Sequence, residues 1–210
     1  MKTIYLVRHG ESEGNVGAHY QDEFSPLTEN GREQAHIVAK RAAKLTLDAV
    51  VASTMVRAQQ TAEEIVKETG ITIESSPLFV ERRRPSVQLR NQKDSPESVA
   101  AEAGIIVSSG TPGKWYSDEE NFDDLKTRAG EALAFLENHP CDSILVVTHG
   151  TFLRNLIARM LFGDRLTGPE CIAVLEHFVA SNTGITVLTY DSARRTPWWL
   201  LTWNDHAHLG

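Results

Sequence analysis

The sequence predicts an α/β fold: three layers, α/β/α, around a mainly parallel sheet, with a short insertion or lid over residues 82–121. Three observations predict it. Short apolar runs rich in β-branched residues alternate with stretches whose apolar residues recur at helical spacing, the order expected of strands covered by helices on both faces. Several of these runs end abruptly in polar residues or glycine, as buried strands do where they leave a sheet. The 210 residues, 41% hydrophobic and 23% charged, suit one globular domain spanning 1–210.

Each element has its own signal. Thr3–Val7 is apolar and β-branched and reads as a strand ending at Arg8-His9-Gly10. Residues 11–27 carry Gly14, Gly17 and Pro26 and read as a loop. Thr28 then opens a helix reaching about Leu45, with Ala35, Val38, Ala39 and Ala42 on one face. Asp48–Ser53 is a second strand. Met55–Glu68 is a helix, stopped by Gly70, and Ile71–Glu74 is a short third strand.

Residues 82–121 differ in kind. Pro85, Pro96 and Pro112 break them, and Arg82, Arg83, Arg84, Arg90 and Lys93 crowd their first part. Ser95-Pro96-Glu97 is a helix start, with Ser95 as cap. Asp123–Asn138 is the next helix, stopped by Pro140. Ser143–Thr148 is the strongest strand and ends in His149-Gly150. Thr151 is placed to cap the helix Phe152–Phe162. Gly184–Tyr190 and Trp198–Trp203 close the chain as strands, with Trp198, Trp199 and Trp203 favouring core packing at a sheet edge. That edge leaves a homodimer open.

Charge and cysteine content narrow the function classes. The net charge of −7 argues against nucleic acid or an anionic membrane as partner, since both call for basic surface. Two cysteines, Cys141 and Cys171, lie in no metal-binding or disulfide pattern, which fits a reduced, cytoplasmic setting. The N-terminus lacks the long apolar run of a secretory signal. His206 and His208 alternate as a ligand pair would, but no third ligand stands near them in sequence, so no metal site is expected.

Three strand ends carry the chemistry. The first delivers Arg8 and His9, the second Ser53 and then Arg57, and the strand near position 145 delivers His149. In a parallel sheet these ends share one rim, where ligands gather. Two histidines and two arginines there make an anion site with a nucleophile. Glu81 follows the third strand and can join them.

The pattern resembles branch members of the histidine phosphatase superfamily that are like phosphoglycerate mutases. The likeness runs along nearly the whole chain. It rests on Leu6-Val7-Arg8-His9-Gly10-Glu11-Ser12 with Asn15, then Leu27-Thr28, Gly31 and Gln34-Ala35. It continues through Ser53, Arg57-Ala58, Thr61-Ala62, Glu81 and Val147-Thr148-His149-Gly150, and ends with Asn204-Asp205 and His208-Leu209.

The resemblance implies roles. His9 would form a phosphohistidine; Arg8, Arg57, Asn15 and His149 would hold the phosphoryl oxygens; Glu81 would exchange protons with the leaving and entering oxygens. Glu81 would need a raised pKa for that. Arg82, Arg83 and Arg90 are substrate-contact candidates from charge alone. The substrate would be a small phosphorylated anion, with no metal or other cofactor.

Phosphatase and phosphoglycerate mutase remain alternatives at this point. Glu81-Arg82 matches the mutases, but Arg83-Arg84-Pro85 departs from them and the insertion is short, which favours a phosphatase acting on a small phosphorylated metabolite. A mutase would use 2,3-bisphosphoglycerate as primer. A non-catalytic phospho-ligand binding protein ranks third, because nucleophile and arginines are all present.

Overall fold

Strands whose residues alternate between two apolar faces need helices on both sides, and the computed structural model is built this way. It describes residues 1–20 and 22–210, with Arg90 described in its backbone alone. The strands are β1 (Lys2–Arg8), β2 (Ala49–Ser53), β3 (Ile73–Ser76), β4 (Ser143–Thr148), β5 (Ile185–Tyr190) and β6 (Trp198–Asp205). They form one sheet in the order β3-β2-β4-β1-β5-β6. The pairs β1·β4, β2·β4 and β2·β3 are parallel, while β5 runs antiparallel to both β1 and β6.

The helices are α1 (Glu13–Val16), α2 (Glu29–Ala42), α3 (Val56–Thr69), α4 (Ser86–Arg90), α5 (Pro96–Ser109), α6 (Phe122–Asn138), α7 (Gly150–Phe162) and α8 (Gly168–His177). Ile4, Leu6, Val51, Ile144 and Val146 face α6 and α7 in one core; Val7, Val50, Ala52, Leu145 and Val147 face α2 and α3 in another. The two-residue period of the strands thus sorts their side chains into two layers.

The register fixes the rim. Arg8 pairs with Thr148 across β1·β4, and Ala52 pairs with Val147 across β2·β4. The His9 amide donates to the Thr148 carbonyl at 3.0 Å. His9, Ser53 and His149 therefore leave three neighbouring strands at one level.

Several expectations shift. β3 begins two residues later than Ile71, because Gly70 turns the chain in the left-handed region (φ 72°) and Val50 pairs with Ile73. The loop after β1 contains the single-turn helix α1. α5 starts at Ser95-Pro96 as expected, the Ser95 hydroxyl accepting from the Ser98 amide. α4 is too short to show a period. α8 had a signal that went unread: Thr167 with Glu170 three residues on makes a capping box, and Pro169 sits in the first turn.

Candidate active site

Burial decides the state of His9. The residue is 1% exposed. Nδ1 lies 2.6 Å from the Gly10 carbonyl, an acceptor, so Nδ1 carries the proton and Nε2 keeps its lone pair. Burial, then the neighbouring His149, Arg57 and Arg8, hold its pKa well below the ordinary value. The imidazole is neutral, as a nucleophile must be.

The turn that carries it is packed backbone to backbone. A Cβ on Gly10 would stand 2.4 Å from the Gly31 carbonyl oxygen, and one on Gly31 would stand 1.9 Å from that of Glu11. Gly10 also donates its amide to Thr61 Oγ1 at 3.1 Å, and Asn182 Nδ2 donates to the His9 carbonyl at 2.9 Å.

His149, fully buried, lies with its ring centroid 5.0 Å from that of His9. Burial and the charges of Arg57, Arg8 and Arg128 keep it neutral as well. Its Nε2 meets Ser53 Oγ at 2.8 Å, while its Nδ1 is buried without a hydrogen-bond partner among the described residues. Arg8 Nε, beside Gly150, is likewise buried with no partner among the described residues, while Arg8 Nη1 donates to the Ala180 carbonyl at 2.6 Å. Arg57 is 1% exposed and burial lowers its pKa to about 10, so it stays charged at neutral pH. Its Nε donates to His9 Nε2 at 3.3 Å, and its Nη1 to the Asp22 carbonyl at 2.7 Å.

Glu81 corrects an expectation. Burial pushes its carboxyl up, but amide hydrogen bonds and Arg57 outweigh that and hold it below the usual carboxylate range. The amides are those of Arg82 (2.9 Å), Thr151 (3.0 Å) and Phe152 (2.8 Å). The last two belong to the first turn of α7, so Glu81, not Thr151, caps that helix, from outside the chain segment that precedes it. No local sequence pattern announces such a cap.

Arg8, Asn15, Arg57 and Glu81 line one cavity of about 460 Å³ with Arg82, Arg84, Lys93, Arg154, Tyr20 and Glu176. Asn15 Oδ1 accepts from the Ser12 amide at 3.0 Å, which leaves its Nδ2 as the group offered to a ligand. Arg84 lies over the Tyr20 ring, its Cζ 4.1 Å from the centroid, and pairs with Glu102 at 2.9 Å. Arg82 reaches the cavity as expected. Arg83 does not: it is exposed, and its Nε donates to the Asp118 carbonyl at 3.0 Å, away from the lining. The side chain of Arg90 lies outside the described residues. Sequence reasoning missed Arg154 and Tyr20 as site components, while Ser53 stands where the second strand end was expected to deliver it. Arg154 stands one helical turn beyond Gly150, a spacing that could have flagged it.

The family model of the histidine phosphatase superfamily (branch 1) matches residues 4–206. A Photorhabdus laumondii protein named "probable phosphoglycerate mutase GpmB" is 37% identical over 163 residues, which is 77% of this chain and 75% of that one. The Shigella flexneri alpha-ribazole phosphatase has a similar fold at 23% identity (TM-score 0.79, covering 97% of this chain and 96% of that one). So has a mycobacterial glucosyl-3-phosphoglycerate phosphatase at 22% identity (TM-score 0.76, covering 97% and 99%).

Proposed function

Since this chain belongs to branch 1 of the histidine phosphatase superfamily, we propose that it is a phosphatase, hydrolysing a small phosphorylated metabolite through a phosphohistidine on His9. One observation carries the reading. Two of the buried polar atoms that lack partners among the described residues, Arg8 Nε and His149 Nδ1, belong to the groups grouped around the His9 nucleophile. A phosphoryl group there would supply acceptor oxygens to both.

The chemistry follows from these groups. The His9 Nε2 lone pair forms the bond to phosphorus, and the ester P–O bond breaks with its electron pair going to the leaving oxygen. That oxygen takes a proton from Glu81. Water then attacks phosphorus and gives a proton to Glu81, while the P–N bond breaks with its electron pair returning to His9 Nε2, releasing phosphate and restoring neutral His9. Because Glu81 rests as a carboxylate, its proton arrives with the substrate: a phosphate monoester binding as the monoanion brings one in. Arg8 and Arg57 balance the charge of the transferring group, so the reading needs no metal or other cofactor.

The cations lining the cavity suit a substrate with a second anionic group. A mutase reading draws on the same cations and on the name of the Photorhabdus relative; it would need 2,3-bisphosphoglycerate as primer. Phosphate release from a panel of phosphorylated metabolites, including 3-phosphoglycerate, tests the choice, with 2-phosphoglycerate followed in the same tubes. Release that disappears in His9→Ala supports the phosphatase. Conversion of 3- to 2-phosphoglycerate with little release makes it a mutase.

A further inference from the structure

Glu81 sits in an irregular segment between β3 and α4, where no ladder of backbone hydrogen bonds fixes its position. The amides of Arg82, Thr151 and Phe152 hold its carboxyl, but the backbone that carries it must be placed as closely, because displacement by an ångström costs orders of magnitude in rate. Two side chains far along the sequence grip this segment on both sides of Glu81.

Arg128, on α6, donates Nη1 to the carbonyls of Leu78 (3.0 Å) and Val80 (2.8 Å). Its Nε and Nη2 donate, in a fork, to the two oxygens of Glu120, each at 2.8 Å. Glu120 in turn accepts from the Arg83 amide at 3.0 Å, and its own amide donates to the Arg83 carbonyl at 3.1 Å. The guanidinium also lies 4.1 Å from the centroid of the Phe152 ring, whose backbone amide binds Glu81. Both side chains of the pair are 13% exposed, so the fork is held in a largely desolvated place.

We propose that Arg128 and Glu120 are positioning residues for Glu81, clamping residues 78–83 so that the carboxyl meets the leaving oxygen. This rests on the reading of Glu81 as proton donor. A planar fork is needed: it holds one carboxylate with two nitrogens while the third reaches two carbonyls. Lysine has the charge and not the geometry. Because Arg83 and Glu120 each stand one residue inside the ends of residues 82–121, the same clamp ties those two ends to the acid.

A merely structural ion pair and a positioning clamp differ in what they do to leaving groups. Expulsion of an alkoxide needs the proton; expulsion of 2,4-dinitrophenolate does not. We would measure kcat/KM, which reports the step that breaks the ester bond, for glycerol phosphate and 2,4-dinitrophenyl phosphate. The proteins would be wild type, Glu81→Gln, Arg128→Lys and Glu120→Gln, each with its melting temperature. Glu81→Gln should lose about 100-fold or more on glycerol phosphate and far less on the aryl ester. Arg128→Lys should lose about 10-fold or more on glycerol phosphate and stay within about threefold on the aryl ester, a fraction of the full acid contribution. Glu120→Gln, nearly isosteric, should show the same selectivity more weakly, and it serves if Arg128→Lys does not fold. Equal losses on both esters in the clamp variants, with selective loss in Glu81→Gln, would overturn the inference alone. Equal losses in Glu81→Gln would overturn the proton-donor reading and the inference with it.

Discussion

Arg57 Nε stands 3.3 Å from His9 Nε2, on the very atom that would attack phosphorus. The arginine thus satisfies the nucleophile's lone pair while the site is at rest. On the proposed reading it would have to turn that donor onto a phosphoryl oxygen before the lone pair could react. One guanidinium would therefore shield the imidazole and then bind its target, so the two residues would act as a unit.

Replacing Arg57 by lysine should show this. Lysine keeps the charge but loses the fork that serves His9, the Asp22 carbonyl and a phosphoryl oxygen from one plane. We expect kcat/KM for any active phosphate ester to fall about 100- to 1,000-fold, the range found when one donor to a developing anion is removed. Steady-state kinetics on the best substrate would check it. A loss under tenfold would mean that Arg8 and His149 suffice.

Ser53 should set the tautomer of His149. With Ser53 Oγ donating to Nε2, the proton stays on Nδ1, the unpartnered atom. Ser53→Ala removes that donor, and we expect about a tenfold fall in kcat/KM, within the span of a lost buried hydrogen bond. The ¹⁵N shifts of His149 would report the accompanying change of tautomer. Unchanged shifts would show that the hydroxyl plays no part.

Stability should fall between pH 7 and pH 5. His9 and His149 have folded-state pKa values well below the unfolded value, so the unfolded chain takes up protons first as pH falls. Stability from these groups is complete above the unfolded value and is lost on going down toward the folded one. The slope is at most about 1.4 kcal/mol per pH unit for each imidazole. Urea melts at the two pH values would measure it, and His9→Asn should flatten the dependence.

Glu81→Ala should weaken the fold as well as the chemistry. It deprives the first turn of α7 of a charged cap, and we expect a loss of about 1–2 kcal/mol. Thermal melts alongside Glu81→Gln, which keeps one acceptor oxygen, should place the latter between alanine and wild type.

Gly31→Ala tests the backbone contact beneath the nucleophile's turn. The new methyl would fall 1.9 Å from the Glu11 carbonyl oxygen, so α2 or the turn must move. A cost of about 1–3 kcal/mol is expected from such overpacking, with reduced activity because the turn carries His9. Full activity at wild-type stability would show that the two segments part easily.

What could be read from the sequence was what sequence places locally. Arg8 and His9 follow an apolar run directly, and His149 follows another, so the strand pattern located both at one rim. Arg57 lies in the first turn of a helix that leaves the same rim. Glu81 was found, but its electrostatic state was not, because the amides of Thr151 and Phe152 come from 70 and 71 residues away in the chain. Arg128 escaped notice for the same reason: its partners are carbonyls 48 and 50 residues away, and carbonyls have no sequence signature. Arg83 was misread because a charge run says nothing about which of its members turns inward. Arg82 does, and Arg83 binds Asp118.

The cavity is a cationic hollow in an anionic body. Arg8, Arg57, Arg82, Arg84, Lys93 and Arg154 line it against two carboxylates, in a chain whose net charge is −7. At low salt an approaching anion therefore meets the repulsion of the net charge from afar and the attraction of the lining close in, and at about 0.1 M salt the field is largely screened beyond about 10 Å. Moderate salt screens the distant repulsion before it weakens the contacts inside. Turnover of a dilute polyanionic ester should thus rise with ionic strength, pass through a maximum and then decline. The protein would work best in a medium salty enough to hide its own surface.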